Sequence, residues 1–274
     1  MKPRISVIMG TYNRAHLIEK AVQSVQKQSF SDWELIIADD GSSDDTEIVA
    51  NKLKKVEPRI IYIKNPVNQG ISKNYNTAFR VASGEYIAMI DDDDSWSDTA
   101  KLEKQAKFLD MNPDYVGCGG GIIVVNDQGR ELYRYFKPET DEEIRNHMLF
   151  SNPMANSTTL FRRKAGESIN FYDETLLYSG DRDFWLKMGL LGKLYNFPIY
   201  FSYYTMNENN TSIVKIRPHL QTSFFVMKRF KRKYPHYFSA LFFNKIQYLY
   251  AVLPKGFRNK FHRVLASLKH AVAR

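Results

Sequence analysis

Four short apolar runs, separated by segments of helical spacing, constrain the fold of this chain more than any other feature. ISVIM (5–9), ELIIAD (34–39), RIIYIK (59–64) and YIAMI (86–90) have the length and β-branched content of buried strands. Between them, His16 to Gln28 carries Leu17, Ala21, Val22 and Val25 at helical spacing. SSDDT offers N-cap residues for a helix through about Val56, and Ile71 to Ala82 reads as a third helix. A further helix is expected over Lys101 to Leu109. Strands alternating with helices of this length predict a mostly parallel sheet covered on both faces. Right-handed crossovers then put any ligand at the carboxyl ends of the strands.

Three of those ends carry polar clusters: GTYNR (10–14), DDGSSDD (39–45) and DDDD (91–94). Each alone reads as a solvated turn. Together at one edge of a parallel sheet they point to a shared ligand. The run YIAMIDDDDSW (86–96) is the sharpest case, because adjacent carboxylates at the end of a core strand repel one another and are costly to bury unpaired. A divalent cation would relieve both problems, and hard cations take oxygen ligands.

After Tyr115 the pattern changes. VGCGGGIIVV (116–125) and ELYRYF (131–136) are strand-like around an NDQG turn; a short helix follows near Asp141 to Leu149, then SNPMANSTTLFRR (151–163) and SGDRDFWLKMG (179–189). The expected division is a nucleotide-binding half over about 1–115, an acceptor half over about 116–214, and a helical extension over 215–274.

Charge supports that last boundary. The formal net charge is +9, yet from Asn209 onward there are 14 Lys and Arg and no acidic residue, leaving 25 basic against 30 acidic residues in 1–208. KRFKRKYPHYF (228–238) interleaves cations with aromatics. Phe257, Phe261, Val264, Leu265, Leu268 and Val272 fall on one helical face. Such a segment suits an anionic membrane surface; the competing reading is a helical cap packed on the main domain with a solvated basic face. Removing residues beyond about 214 is expected to cut binding to anionic vesicles while sparing nucleotide binding. RNA binding has no recognised module here, and no specific nucleic acid partner is expected. No apolar run approaches the roughly 18 residues of a spanning helix. The start MKPRISVIMGTYNR is too poor in apolar residues for a signal peptide, and the lone Cys118 fits a reducing compartment. The chain is therefore expected in the cytoplasm, peripheral on the inner face of the cell membrane.

Taken in order, SVIMGTYNR, ELIIADDGSSDDT, NQG, GEYIAMIDDDD and GDRDFWLKMG resemble the inverting nucleotide-sugar glycosyltransferases of family 2, which have the GT-A fold, a Rossmann-like, mostly parallel sheet flanked by helices. The resemblance covers about residues 3 to 206. It implies metal-dependent transfer of a sugar from a nucleotide diphosphate donor, a UDP-sugar being favoured, to a hydroxyl of a glycan or lipid-linked acceptor in polysaccharide biosynthesis. The implied cofactor is Mn²⁺ or Mg²⁺, acting as a Lewis acid on the leaving diphosphate. The family's Asp-x-Asp falls on Asp91 and Asp93, making Asp93 the direct metal contact, with Asp91 or Asp92 reaching the ribose or a metal-bound water. Asp94 is expected to be dispensable, a capping or solvated residue.

By the same resemblance Thr11 and Tyr12 sit against base and ribose, and Asn13 and Arg14 shape the loop. Asp40 accepts from the base, with Asp39 as its structural neighbour. Tyr12 has core packing as its other reading. Asp181 is the expected catalytic base, taking the acceptor hydroxyl's proton; a helix cap is the alternative for it, and Asp183 is the rival base. There are departures: Gly180 stands where a Glu is common, and Tyr75 in NQGISKNYN where Arg is usual, with Lys73 a substitute charge. Thr205 and Asn207 stand where an Arg and a metal-binding His are common, so water-completed coordination is expected. A polyprenyl-phosphate sugar synthase and a non-catalytic binding protein with a relic donor site are the alternative functions. A sugar-1-phosphate nucleotidyltransferase would need a Gly-rich basic loop that GTYNRAHL lacks.

Overall fold

The computed structural model describes residues 2–206 and 214–253. Asn207 and the 257–272 face therefore lie outside the described residues.

The alternation read from the sequence is realised as β1 (Ile5–Thr11), α1 (Ala15–Gln26), β2 (Trp33–Asp39), α2 (Thr46–Val56), β3 (Ile60–Lys64), α3 (Ile71–Val81) and β4 (Tyr86–Met89). These strands pair in parallel in the order β3-β2-β1-β4. Both faces are covered, because β1 and β2 are buried along almost their whole length. On one side Ile5, Val7 and Met9 meet Ile18, Val22 and Val25 of α1; on the other Ile8 and Ile36 meet Tyr75 and Phe79 of α3. This is the two-face burial that continuous apolar strands require.

The second half extends the same sheet. β5 (Ser95–Trp96), α4 (Lys101–Met111), β6 (Tyr115–Val125), β7 (Glu131–Tyr135), α5 (Asp141–His147), β8 (Leu160–Arg162), α6 (Arg163–Ser168), α7 (Gly180–Leu191) and β9 (Lys193–Thr205) complete a nine-stranded sheet. The order continues from β4 through β8, β6 and β9 to β5, with β7 on the edge of β6. β1, β2, β3, β4, β6 and β9 run one way and β5, β7 and β8 the other. The sheet is thus mostly parallel, the GT-A arrangement expected. Short β8 and the long β9, interrupted by Pro198, have no counterpart among the expected strands.

Two helices of the basic extension follow, α8 (Ile216–Arg229) and α9 (Tyr237–Val252). They are not simply appended. Val226, Met227, Phe230, Tyr234 and Ala240 are buried in the same core cluster as Phe184 and Trp185 of α7. A cut near 214 would open that core, so the expectation that such a truncation spares nucleotide binding does not suit this packing. Their outer side is different: Phe225, Phe238, Phe242 and Leu249 are exposed, Phe238 by 83%.

Candidate active site

The chain leaves β1 through Tyr12 and Asn13, leaves β2 through Asp40 and Gly41, and leaves β4 through the aspartates. Register pairs Thr11 with Asp39, so the first two exits lie side by side. Asn13 sits at φ 52°, a left-handed conformation that asparagine tolerates. From there its N–H donates to Ser42 Oγ at 2.8 Å, and its side-chain oxygen accepts from Ser43 N–H at 2.8 Å. Asp44 ties the second loop to α1 by accepting from Ala15 N–H at 3.1 Å. Gly41 has no substitute: at φ 76°, a Cβ would lie 2.7 Å from the Val67 carbonyl carbon.

Asp39 is fully buried and accepts from Ser42 N–H and from the Tyr62 hydroxyl, at 2.8 and 2.6 Å. Asp40 accepts from Asn65 and from the backbone N–H groups of Gln69 and Gly70, at 3.1, 2.8 and 2.9 Å. Its carboxylate therefore pins the loop before α3, with one lone pair on Oδ2 left over. Tyr12 is 45% exposed, which removes core packing as its role. Thr11 is buried, and its hydroxyl has no hydrogen-bond partner.

The aspartate run is a tight turn, with Asp94 N–H donating to the Asp91 carbonyl at 3.1 Å. Asp91 Oδ1 accepts from the Tyr75 hydroxyl at 2.5 Å and from Asn156 at 2.7 Å. Tyr75 thus contributes a neutral donor where a cation was expected. Lys73 is exposed on α3, where it interacts with Glu174 in the loop before α7. Arg14 bridges the next two aspartates: its Nη1 donates to Asp92 Oδ1 at 2.8 Å and to Asp93 Oδ2 at 3.0 Å. Burial and the neighbouring Asp92 and Asp91 charges push the Asp93 carboxyl up to about 6, against the pull of Arg14. Asp91 and Asp92 are also raised, chiefly by burial. Asp92 Oδ2 is buried without a partner.

Asp94 corrects the expectation of a solvated residue. It is 3% exposed, accepts from the Ser157 hydroxyl and from Thr205 N–H, and so ties the aspartate turn to β9.

Asp181 lies in the first turn of α7, one residue past Gly180, with Ser179 as N-cap. It makes no capping bond; instead its Oδ2 accepts from Asn152 Nδ2 at 2.6 Å. Its charge is one of the causes that raise Asp91, which puts it within electrostatic reach of the aspartate turn. Asp183 points elsewhere. It is fully buried and ion-paired with Lys187 at 2.6 Å and Arg229 at 2.7 Å, which fits a structural role rather than that of the rival base. His219 of α8 lies beside Ser179, the residue before α7, with its Nδ1 3.5 Å from the Ser179 hydroxyl. Burial lowers its pKa against the pull of the Asp181 charge, and its Nε2 is buried without a partner.

Asn152, Asn156, Ser157 and His219 were not foreseen from the sequence. The first three lie in SNPMANSTTL, whose isolated polar residues have no periodicity; the dense Asn/Ser/Thr content of a connector was the only available signal. Among the described residues no three His, Cys, Asp or Glu side chains converge to hold a cation. The oxygen set still fits a hard ion: three carboxylates raised by burial, and an Asp92 oxygen buried without a hydrogen bond.

Residues 6–169 match the family described as Glycosyl transferase family 2. A UDP-Glc:alpha-D-GlcNAc-diphosphoundecaprenol beta-1,3-glucosyltransferase of Escherichia coli is 28% identical, over 88% of this chain and 92% of its own length. The GalNAc(5)-diNAcBac-PP-undecaprenol beta-1,3-glucosyltransferase of Campylobacter jejuni is 32% identical, over 68% of this chain and 60% of its own. A mannosyltransferase of Pyrobaculum calidifontis, solved with GDP-Man and Mn²⁺, superposes with a TM-score of 0.65 at 19% identity, covering 99% of this chain and 76% of that one. Residues 1–349 of Staphylococcus aureus TarS, solved with UDP-GlcNAc, give 0.64 at 20% identity, over 83% of this chain and 66% of that one.

Proposed function

The chain belongs to glycosyl transferase family 2, and from that premise we propose that it moves a hexosyl group from a UDP-sugar to a hydroxyl of a lipid-linked glycan, with inversion at the anomeric carbon. The observation that carries this reading is the crowd of carboxylates at the carboxyl end of β4, where Asp92 and Asp93 share the Arg14 guanidinium and Asp91 accepts from Tyr75 and Asn156. In the reaction Asp181 takes the proton of the acceptor hydroxyl as that oxygen attacks the anomeric carbon. The bond to the diphosphate breaks on the opposite face, so no covalent intermediate on the protein is needed. Asn152 fixes the carboxylate's orientation. Tyr12, exposed at the mouth of the β1 loop, offers a flat face to the nucleoside, while the buried Thr11 hydroxyl faces the Asp92 carboxylate. Lys73 is a further cation for the donor.

Asp93 and Asp91 would hold a divalent cation, Mn²⁺ or Mg²⁺, which when bound neutralises the leaving diphosphate. The relatives named for undecaprenol-linked acceptors support a lipid-linked substrate. The described part of the extension supports a surface for it. Its residues 214–253 hold eight Lys and Arg and no acid, with exposed Phe238 and Phe242 beside them. No helix among the described residues is long and apolar enough to cross a membrane, so an anionic leaflet would be gripped from outside.

The test is a thermal-shift panel of UDP-, GDP- and dTDP-sugars, with and without Mn²⁺, followed by a transfer assay on the selected donor. Stabilisation by a UDP-sugar that grows with Mn²⁺ is expected. A panel in which no nucleotide sugar moves the melting temperature would remove the reading.

A further inference from the structure

We propose that the face of β7 carrying Tyr133 and Tyr135 is a subsite for the acceptor's sugar, a hexopyranose ring stacking on these two residues with its attacking hydroxyl directed toward Asp181. This rests on the glycosyl-transfer reading above and adds where the acceptor lies.

Residues two apart on a strand share a face. The rings of Tyr133 and Tyr135 accordingly lie within 28° of parallel, with centroids 6.1 Å apart. Lys137 continues the row, its Nζ 5.6 Å from the Tyr135 ring centroid. That same ammonium donates to the Asn152 carbonyl at 3.0 Å, and the Asn152 side chain donates to Asp181. An unbroken line of groups therefore runs from the open edge of the sheet to the proposed base. Register adds Tyr204 to this face, since Val124 lies opposite both Tyr133 and Tyr204. The Tyr135 hydroxyl also feels the charge of Asp94, in the aspartate turn.

The opposite face of β7 is engaged with its own neighbours. Arg134 pairs with Glu131 and lies 5.1 Å from the Tyr200 ring centroid, and Phe136 stacks on Tyr200 at 4.3 Å. A bulge at Val124/Val125 turns Glu131 to that side, and on the tyrosine face Tyr133 is left 49% exposed. The chemistry of the row favours a sugar over an acyl chain. A pyranose presents apolar C–H groups on its face and hydroxyls on its rim. Tyrosine meets the first with its ring and the second with its O–H. A lysine at the inner end suits a hydroxylated ligand and would be poorly placed beneath a hydrocarbon.

The experiment uses the full chain and a water-soluble probe, GlcNAc-α-diphospho-decane, observed by saturation-transfer NMR and titration, with UDP as a separate ligand. Saturation of the pyranose C–H protons is expected, together with about a tenfold weaker probe affinity for Tyr133→Ala. Tyr133→Trp should keep the affinity, and UDP should bind all variants alike. Tyr133→Ala binding the probe as well as the wild type does would overturn the subsite. So would saturation confined to the decyl chain, or no probe binding by a wild-type chain that binds UDP. Failure of the wild-type chain to bind UDP is a different result, one that sinks the parent reading.

Discussion

The Asn152 side-chain amide donates to Asp181 Oδ2 at 2.6 Å, and it is the one side-chain donor on that carboxylate among the described residues. A base held by a single neutral donor keeps its second oxygen for a substrate proton. Asp181→Asn is expected to bind the donor with unchanged affinity while transfer falls by at least about 100-fold. Asn152→Ala leaves the carboxylate in place but free to rotate, so kcat should fall by roughly 10- to 100-fold with donor affinity retained. Turnover and nucleotide-sugar titrations on both variants check this. Normal turnover by Asp181→Asn would move the base elsewhere.

Arg14 and a divalent cation would address the same carboxylates. Replacing Arg14 by Met removes the guanidinium from Asp92 and Asp93, which are both largely buried. In buffer with a chelator the variant should be less stable than the wild type by about 3 kcal/mol. Mn²⁺ should then raise its melting temperature more than it raises that of the wild type. An equal Mn²⁺ shift in the two proteins would argue against shared ligands.

Asp94 was expected to be expendable, and the structure reverses this. Asp94→Ala leaves the Ser157 hydroxyl and the Thr205 amide without their acceptor in a buried turn. A loss of about 2–4 kcal/mol in urea unfolding is expected, the range for removing one partner of a buried polar group. A variant as stable as the wild type would return Asp94 to the surface role.

Lys101 is fully buried, lies 4.1 Å from the Trp96 ring centroid, and has only a long contact, 3.4 Å, to the Thr159 carbonyl. Burial lowers its pKa to about 7. The unfolded chain, with an ordinary lysine near 10.4, binds more protons between these values, so this group's contribution to stability rises as pH climbs from about 7 toward 10. Lys101→Met should remove that slope and stabilise the protein at pH 7 by on the order of 3 kcal/mol. Urea titrations at pH 7 and pH 9.5 test both. An unchanged slope in the variant would assign the pH dependence to another group.

Phe238→Asp with Phe242→Asp places acids among the exposed rings of α9 without touching the buried Ala240. Cosedimentation with phosphatidylglycerol-rich vesicles should fall by about tenfold or more, with UDP binding intact. Equal sedimentation would leave the hairpin as a cap only.

The parallel core was legible because β1, β2 and β4 are buried on both faces, and such strands show as unbroken apolar runs. β9 was not. It pairs with β6 and β5, from distant parts of the chain, and Pro198 interrupts its pattern. The three polar clusters of the site were legible for a related reason: charged residues at the end of a core strand conflict with their surroundings, and conflict is visible in sequence. Asn152, Ser157 and His219 carry no such conflict in the sequence around them, and only the Asn/Ser/Thr density of SNPMANSTTL hinted at the first two. The direction of Asp40, inward to Gln69 and Gly70, depends on a loop conformation that residue identity alone does not fix.

Helix α8 joins two tasks in one rigid rod. Its Val226 and Met227 are anchored against α7, His219 lies at the Ser179 hydroxyl just before that helix, and Phe225 faces solvent. A force applied to this helix from outside would therefore be passed to the start of α7, where Asp181 lies, and cutting the helix away would uncover the core it shares with Phe184 and Trp185.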